Sequence, residues 1–174
     1  MGSWFYLKSG FKYRKEAFAE LGNFGKAEQV KFIYPNGAVF HTDTNHVVLI
    51  LLDKTDQATF DNFAKIIKAY SQRNDVTSLK VVSDSTYSFP GQKGMQAVHI
   101  SDSTQTNFNE IKRKIADIKK HDINTVLINS KSVVVNGYDI NVKDEMAHLI
   151  KHVSILLPGN KKVDVPSKIS QKEK

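Results

Sequence analysis

A chain of 174 residues, 40% of them hydrophobic, is long enough to bury one compact core and is read as a single domain with appended segments. It has no cysteine, which excludes a disulfide framework, a thiolate zinc site and a cysteine nucleophile. Its formal charge of +7 lies almost wholly in residues 1–35 and 157–174, so attraction to a polyanion would have to originate at the two ends.

In chain order, the segment from Trp4 to Tyr34 opens on apolar residues, offers a short helix at Tyr13 to Leu21, and breaks at Gly22 and Gly25. Val30 to Tyr34 and Ala38 to His41 flank Pro35-Asn36-Gly37, which predicts a hairpin with Asn36 or Gly37 at positive φ. Val47 to Leu52 is predicted as a strand, followed by a helix from Asp56 to about Gln72, capped by Thr55, with Phe60, Phe63, Ile67 and Tyr70 on one face. Leu79 to Ser83 returns as a strand, and Pro90 to Gly94 is expected to turn a long hairpin into the strand Met95 to Ser101. The next helix, Thr106 to Lys120, carries Phe108, Ile111, Ile115 and Ile118 at spacings of three and four, and Val126 to Asn129 closes the unit as a strand. Ser132 to Val135 and Tyr138 to Ile140 flank Asn136-Gly137, which predicts a two-residue type I′ hairpin. A last helix starts after Asn141, turns Val142, Met146, Leu149, Ile150 and Val153 inward, and ends before Pro158-Gly159.

Two strand–helix–strand units echo each other at a spacing of about 48 residues, Asp53 and Thr55 leading the first helix as Ser101 and Ser103 lead the second. Joined through a hairpin, they give the order βαββαβ. The expected fold class is therefore α+β, a ferredoxin-like plait with both helices on one sheet face. Residues 1–45 form an aromatic and basic extension with its hairpin, 46–157 the core with an added hairpin and helix, and 158–174 a mobile basic tail. The longest apolar run, Val47 to Leu52, is far short of the roughly 20 residues that span a bilayer, and a soluble, cytoplasmic protein without a membrane span is expected.

The third strand of such a sheet can be tested for base stacking. Lys93 to Ile100 resembles the signature octapeptide of RNA-recognition motifs at Lys93, Gly94 and Val98, but Met95, Ala97 and Ile100 stand where the motif has aromatic rings. The rings lie elsewhere: ten of seventeen aromatic residues fall in the first forty positions, among Lys8, Lys12, Arg14, Lys15 and Lys31. Rings beside cations suit sequence-tolerant binding of single-stranded nucleic acid, and the expected contact residues are Lys8, Phe11, Lys12, Tyr13, Arg14, Lys15 and Lys31. Only three of 25 basic residues are arginine, which favours loose phosphate attraction over bidentate base readout.

Histidines supply the remaining chemistry. His41, Asp43 and His46 lie between two strands at a spacing that could hold a metal, and Glu145, His148 and His152 form one helical stripe, read as a solvated face with half a metal site. His99-Ile100-Ser101 resembles one half of the paired-histidine motif of two-histidine phosphoesterases, with His41-Thr42-Asp43 as the nearest second half. No phosphate-cradling loop or nucleophile elbow is present, and no catalytic residue or cofactor is expected. The leading expectation is a non-enzymatic module that binds nucleic acid through its phosphate backbone. A protein-interaction or homo-oligomeric assembly subunit is the second, and a small metal- or histidine-dependent hydrolase or nuclease the third.

Overall fold

A computed structural model describes residues 2–42, 45–53, 56–83 and 93–158, with side chains from residue 10 onward. The chain opens with helix α1 (Gly2–Ala19), strand β1 (Gly25–Lys26) and a 3-10 turn at Ala27–Gln29. The hairpin β2 (Phe32–Ile33) and β3 (Val39–Phe40) leads to β4 (Val47–Leu51), α2 (Gln57–Ala69) and β5 (Val76–Val81). Then come β6 (Gln96–Ile100), α3 (Asp102–Lys119), β7 (Thr125–Ile128), β8 (Val133–Tyr138) and α4 (Lys143–Leu156).

The strands form one mixed sheet in the order β1-β8-β7-β4-β5-β6-β2-β3. Its centre is β4, every residue of which is buried, as expected for a strand covered by helices on both sides. Val47, Leu49 and Leu51 point into a core with Phe63, Ile66 and Ile67 of α2 and Leu149 and Val153 of α4. Val48 and Ile50 point into the opposite core, with Phe108, Ile111 and Ile115 of α3. The period-2 alternation of a strand thus divides one apolar run between two cores.

This architecture corrects the ferredoxin-like plait. In a plait the two strands of each βαβ unit are separated by a third strand and both helices share a face, whereas here β4 pairs directly with β5, in parallel, and α2 and α3 lie on opposite faces. The expected hairpin between β5 and β6 is corrected as well: the two strands are parallel, with Leu79 opposite Gln96 and Val81 opposite Val98, so the chain between them must cross back along the sheet. Pro90, expected in that turn, lies outside the described residues.

The second hairpin prediction also fails in an instructive way. Asn136 and Gly137 sit inside β8, opposite Leu127 and Val126, and the reversal comes earlier, where Asn129 Oδ1 accepts from Lys131 N and Val133 N and Ser132 takes φ +56°. Gly137 is needed for a close approach: a Cβ there would lie 2.7 Å from Ile123 Cδ1 and 3.0 Å from Ile115 Cγ2. The first hairpin is as predicted, β2 pairing antiparallel with β3 around Gly37 at φ +84°. It extends the sheet through β2, which pairs with β6.

Helix boundaries differ at their starts. The cap of α2 is Asp56, whose Oδ1 accepts from Thr59 N at 2.8 Å, and Thr55 lies outside the described residues. Helix α3 begins at Asp102 instead of Thr106, and its Ile118 is 69% exposed because the buried stripe ends with Ile115.

Candidate functional site

In an open sheet with parallel strands, the crevice beyond the carboxyl ends of those strands collects the starts of the following helices, and ligands bind there. In this protein it is a cleft of about 1070 Å³, bounded by Leu52 and Asp53 after β4, Val82 and Ser83 after β5, and Ile100 at the end of β6. Asp56 and Asp102 bring the first residues of α2 and α3 to it, and Asp122 and Asp139 enter from the loops around β7 and β8. Against these five carboxylates stand Lys112, Arg113 and His99, so a chain of net charge +7 presents an acidic concavity here.

Hydrogen bonds stiffen one wall. Asn124 Nδ2 donates to Asp139 Oδ1 at 2.6 Å, and Asn141 Nδ2 donates to Thr59 Oγ1 at 2.6 Å. Thr59 Oγ1 in turn donates to Asp56 Oδ1 at 2.6 Å, tying the start of α2 to the turn before α4. These bonds from Thr59 hold the Asp56 carboxyl below its ordinary range. Beneath the cleft, Lys80 is only 8% exposed and donates from Nζ to the Leu52 carbonyl. Burial pushes its ammonium pKa down and nearby Asp53 opposes that shift.

A second polar group lies under α1. His152 of α4, expected on a solvated stripe, is 1% exposed: Tyr138 Oη lies 2.7 Å from its Nδ1 and Glu20 Oε2 lies 2.8 Å from its Nε2. The reason is the docking of α1, whose last turn covers that side of α4. Glu145 pairs instead with Lys119 at 3.0 Å, and His148 is exposed. The expected partial metal site is therefore dispersed. His46 Nδ1 lies 3.1 Å from Thr77 Oγ1, His41 is exposed after β3, and Asp43 lies outside the described residues.

The expected nucleic-acid residues are dispersed too. Tyr13 is 51% exposed, with Lys151 Nζ 5.3 Å from its ring centroid, and Lys12 pairs with Glu16 at 3.8 Å. Phe11, Arg14 and Lys15 face outward on α1, and the Lys8 side chain lies outside the described residues. Lys31 precedes β2, near the other end of the strand order from β8, and its backbone N donates to Thr104 Oγ1. The octapeptide strand β6 shows no open face for bases, since Met95 packs into one core and Val98 and Ile100 into the other.

Sequence reasoning named Asp53 only as leading a helix and Tyr138 only as a strand residue, and passed over Asp102, Asp139 and Glu20. Part of the signal was present: an acidic or hydroxyl residue directly after each apolar run marks a strand end that feeds a helix start, and Lys80 between Leu79 and Val81 marks a cation inside a core strand.

No family model matches this chain, and no curated protein matches it in sequence. Among solved structures it is similar to yeast Sco1 with copper bound, at TM-score 0.50 and 14% identity, over 76% of this chain and 95% of that one. It is also similar to Trgpx in its apo form, at TM-score 0.50 and 12% identity, over 75% of this chain and 96% of that one. BsSco, a member of the Sco family of cytochrome c oxidase assembly proteins with a disulfide switch, aligns at TM-score 0.45 and 12% identity, over 73% and 92%. The chain thus shares the fold of yeast Sco1 and Trgpx, which replaces the plait. The nucleic-acid expectation is corrected with it: the similar structures are not nucleic-acid modules, both sheet faces are covered by helices, and the proposed contacts are scattered.

Copper does not fit the residues present. The sequence has no cysteine, and among the described residues no three histidine, aspartate or glutamate side chains converge as a metal-holding group. A disulfide switch is excluded for the same lack of cysteine. Among the described residues, no helix is long and apolar enough to cross a membrane.

Proposed function

We propose that this chain is a protein-interaction module that self-associates head to tail, the outer face of α1 meeting the acidic cleft of a second copy. One observation carries the reading: two exposed surfaces of opposite charge occur on the same chain, and among the described residues none of α1 lines the cleft. Phe11, Arg14, Lys15 and Phe18 follow one another at helical spacings on the side of α1 away from Tyr13 and Ala17. Phe11 is 81% exposed and Phe18 is 47% exposed, far more than solubility favours for rings of that size. Aromatic side chains flanked by arginine are the usual anchors of protein interfaces, and five aspartates supply the complementary rim. A head-to-tail contact of this kind joins two different patches, so it builds rings or open chains instead of closed twofold dimers.

Sedimentation velocity over a concentration series tests this. Mass that rises with concentration, falls at high salt, and is lost in the Phe11→Ser/Phe18→Ser double variant with unchanged circular dichroism is the expected result. A chain that stays monomeric at every concentration at low salt removes the reading.

A further inference from the structure

Among the described side chains of helix α1, few apolar groups hold it. Among the described residues its one buried side chain is Ala17, and just beyond it Leu21 is partly buried and Gly22 N donates to Val135 O at 2.8 Å. Polar contacts form a continuous chain from the buried Tyr138 and His152 out to the exposed Glu20. Tyr138 Oη lies 2.7 Å from His152 Nδ1, His152 Nε2 lies 2.8 Å from Glu20 Oε2, and Lys151 Nζ lies 2.7 Å from Glu20 Oε1. A carboxylate can only accept, so the histidine hydrogen belongs on Nε2, and Nδ1 accepts from the Tyr138 hydroxyl. With His152 neutral, both ring nitrogens are satisfied.

We propose that this Tyr138–His152–Glu20 chain is a proton-sensitive latch, which holds α1 on α4 and β8 near neutral pH and releases it on acidification. A proton added at Nδ1 displaces the Tyr138 hydrogen from its acceptor and places a cation in a site that is 1% exposed. From its own helix, Lys151 and His148, whose ring centroid is 6.1 Å away, oppose that charge. Glu20, arriving after α1, favours it. Toward Tyr138, Lys119 of α3 lies 5.2 Å from the ring centroid and is itself neutralised by Glu145 of α4. Burial outweighs Glu20, and the His152 pKa falls below its ordinary value.

The sign follows from linkage. Docked, His152 binds fewer protons than it does with α1 released, so docking weakens as pH falls from about 6.5, the ordinary histidine value, toward the docked pKa. The Glu20 carboxyl, held down chiefly by Lys151, adds a second loss of the same sign below the ordinary glutamate range. The latch stands whether or not the outer face of α1 meets a partner.

The test follows amide hydrogen exchange at residues 10–19 by NMR on the full chain from about pH 7.5 to about pH 5, corrected for intrinsic exchange, with the His152 ring titrated in the same samples. Protection in α1 is expected to fall on the order of tenfold for each unit separating the docked and released His152 pKa, while β4 and β7 stay protected. His152→Gln can still donate to Glu20 and accept from Tyr138 but does not titrate, so its α1 protection should not change with pH down to about pH 5, above the Glu20 range. Protection that is constant while His152 titrates, or a pH dependence that survives in His152→Gln, overturns the proposal. Should that variant not fold, the wild-type ring decides: titration below about 6.5 supports the latch, and titration at or above it overturns it.

Discussion

Helices α3 and α1 are held in this molecule by opposite means. The first lays Phe108, Ile111 and Ile115 into one of the two cores, and Gly137 lets Ile115 come close enough that any side chain in the glycine's place would collide with it. Among the described residues, the second buries Ala17 and is held by the hydrogen bonds of Glu20, just beyond its end, to His152 and Lys151. The difference teaches that one sheet can carry a permanent helix and a conditional one. Apolar burial responds weakly to pH and salt, whereas a carboxylate, an imidazole and an ammonium respond to both.

The largest effect that would sharpen this contrast is expected at Ile115, fully buried against β8. Ile115→Ala should cost about 2–5 kcal/mol of global stability in urea denaturation, with no change in its pH profile. Tyr138→Phe removes the hydroxyl that satisfies His152 Nδ1, and a cost of about 1–3 kcal/mol is expected. Its loss should appear in α1 exchange before global unfolding, and an equal loss across β4 would break the distinction between the two helices. The smallest effect is expected at Ile118, which belongs to the sequence stripe of α3 but is exposed: Ile118→Ser should stay within about 0.5 kcal/mol of wild type by the same denaturation. A cost like that of Ile115→Ala would mean that another surface covers this end of α3.

Most elements were legible because their signals are local. The repeating apolar stripes placed α2 and α3, the run from Val47 placed the central strand, and Pro35-Asn36-Gly37 placed a hairpin whose turn needs only a few residues to agree. Pairing was not legible. Asn136-Gly137 carries a strong turn signal, yet the glycine is required where α3 and Ile123 press on β8, and sequence alone cannot tell conformational freedom from lack of bulk. The parallel pairing of β5 and β6 likewise depends on how the connection crosses the sheet, which no residue near either strand encodes by itself.

The candidate sites divide along the same line. His152 was expected on a solvated stripe with Glu145 and His148, but it is buried against Glu20, 132 residues away in the chain. The acidic cleft was invisible as a unit because its five aspartates come from four separate segments that meet only once the sheet has formed.

By itself the sequence determined most of the segments that are helix or strand, that no thiol chemistry is available, and that the excess positive charge sits at the ends, because propensity, composition and charge are properties of short stretches. Strand order, the split of two similar helices between opposite faces, the burial of Lys80 and His152, and the gathering of carboxylates at the strand ends were decided only by tertiary structure. Each depends on contacts between residues far apart in the chain, and those form only when the whole apolar surface of β4 is covered from both sides.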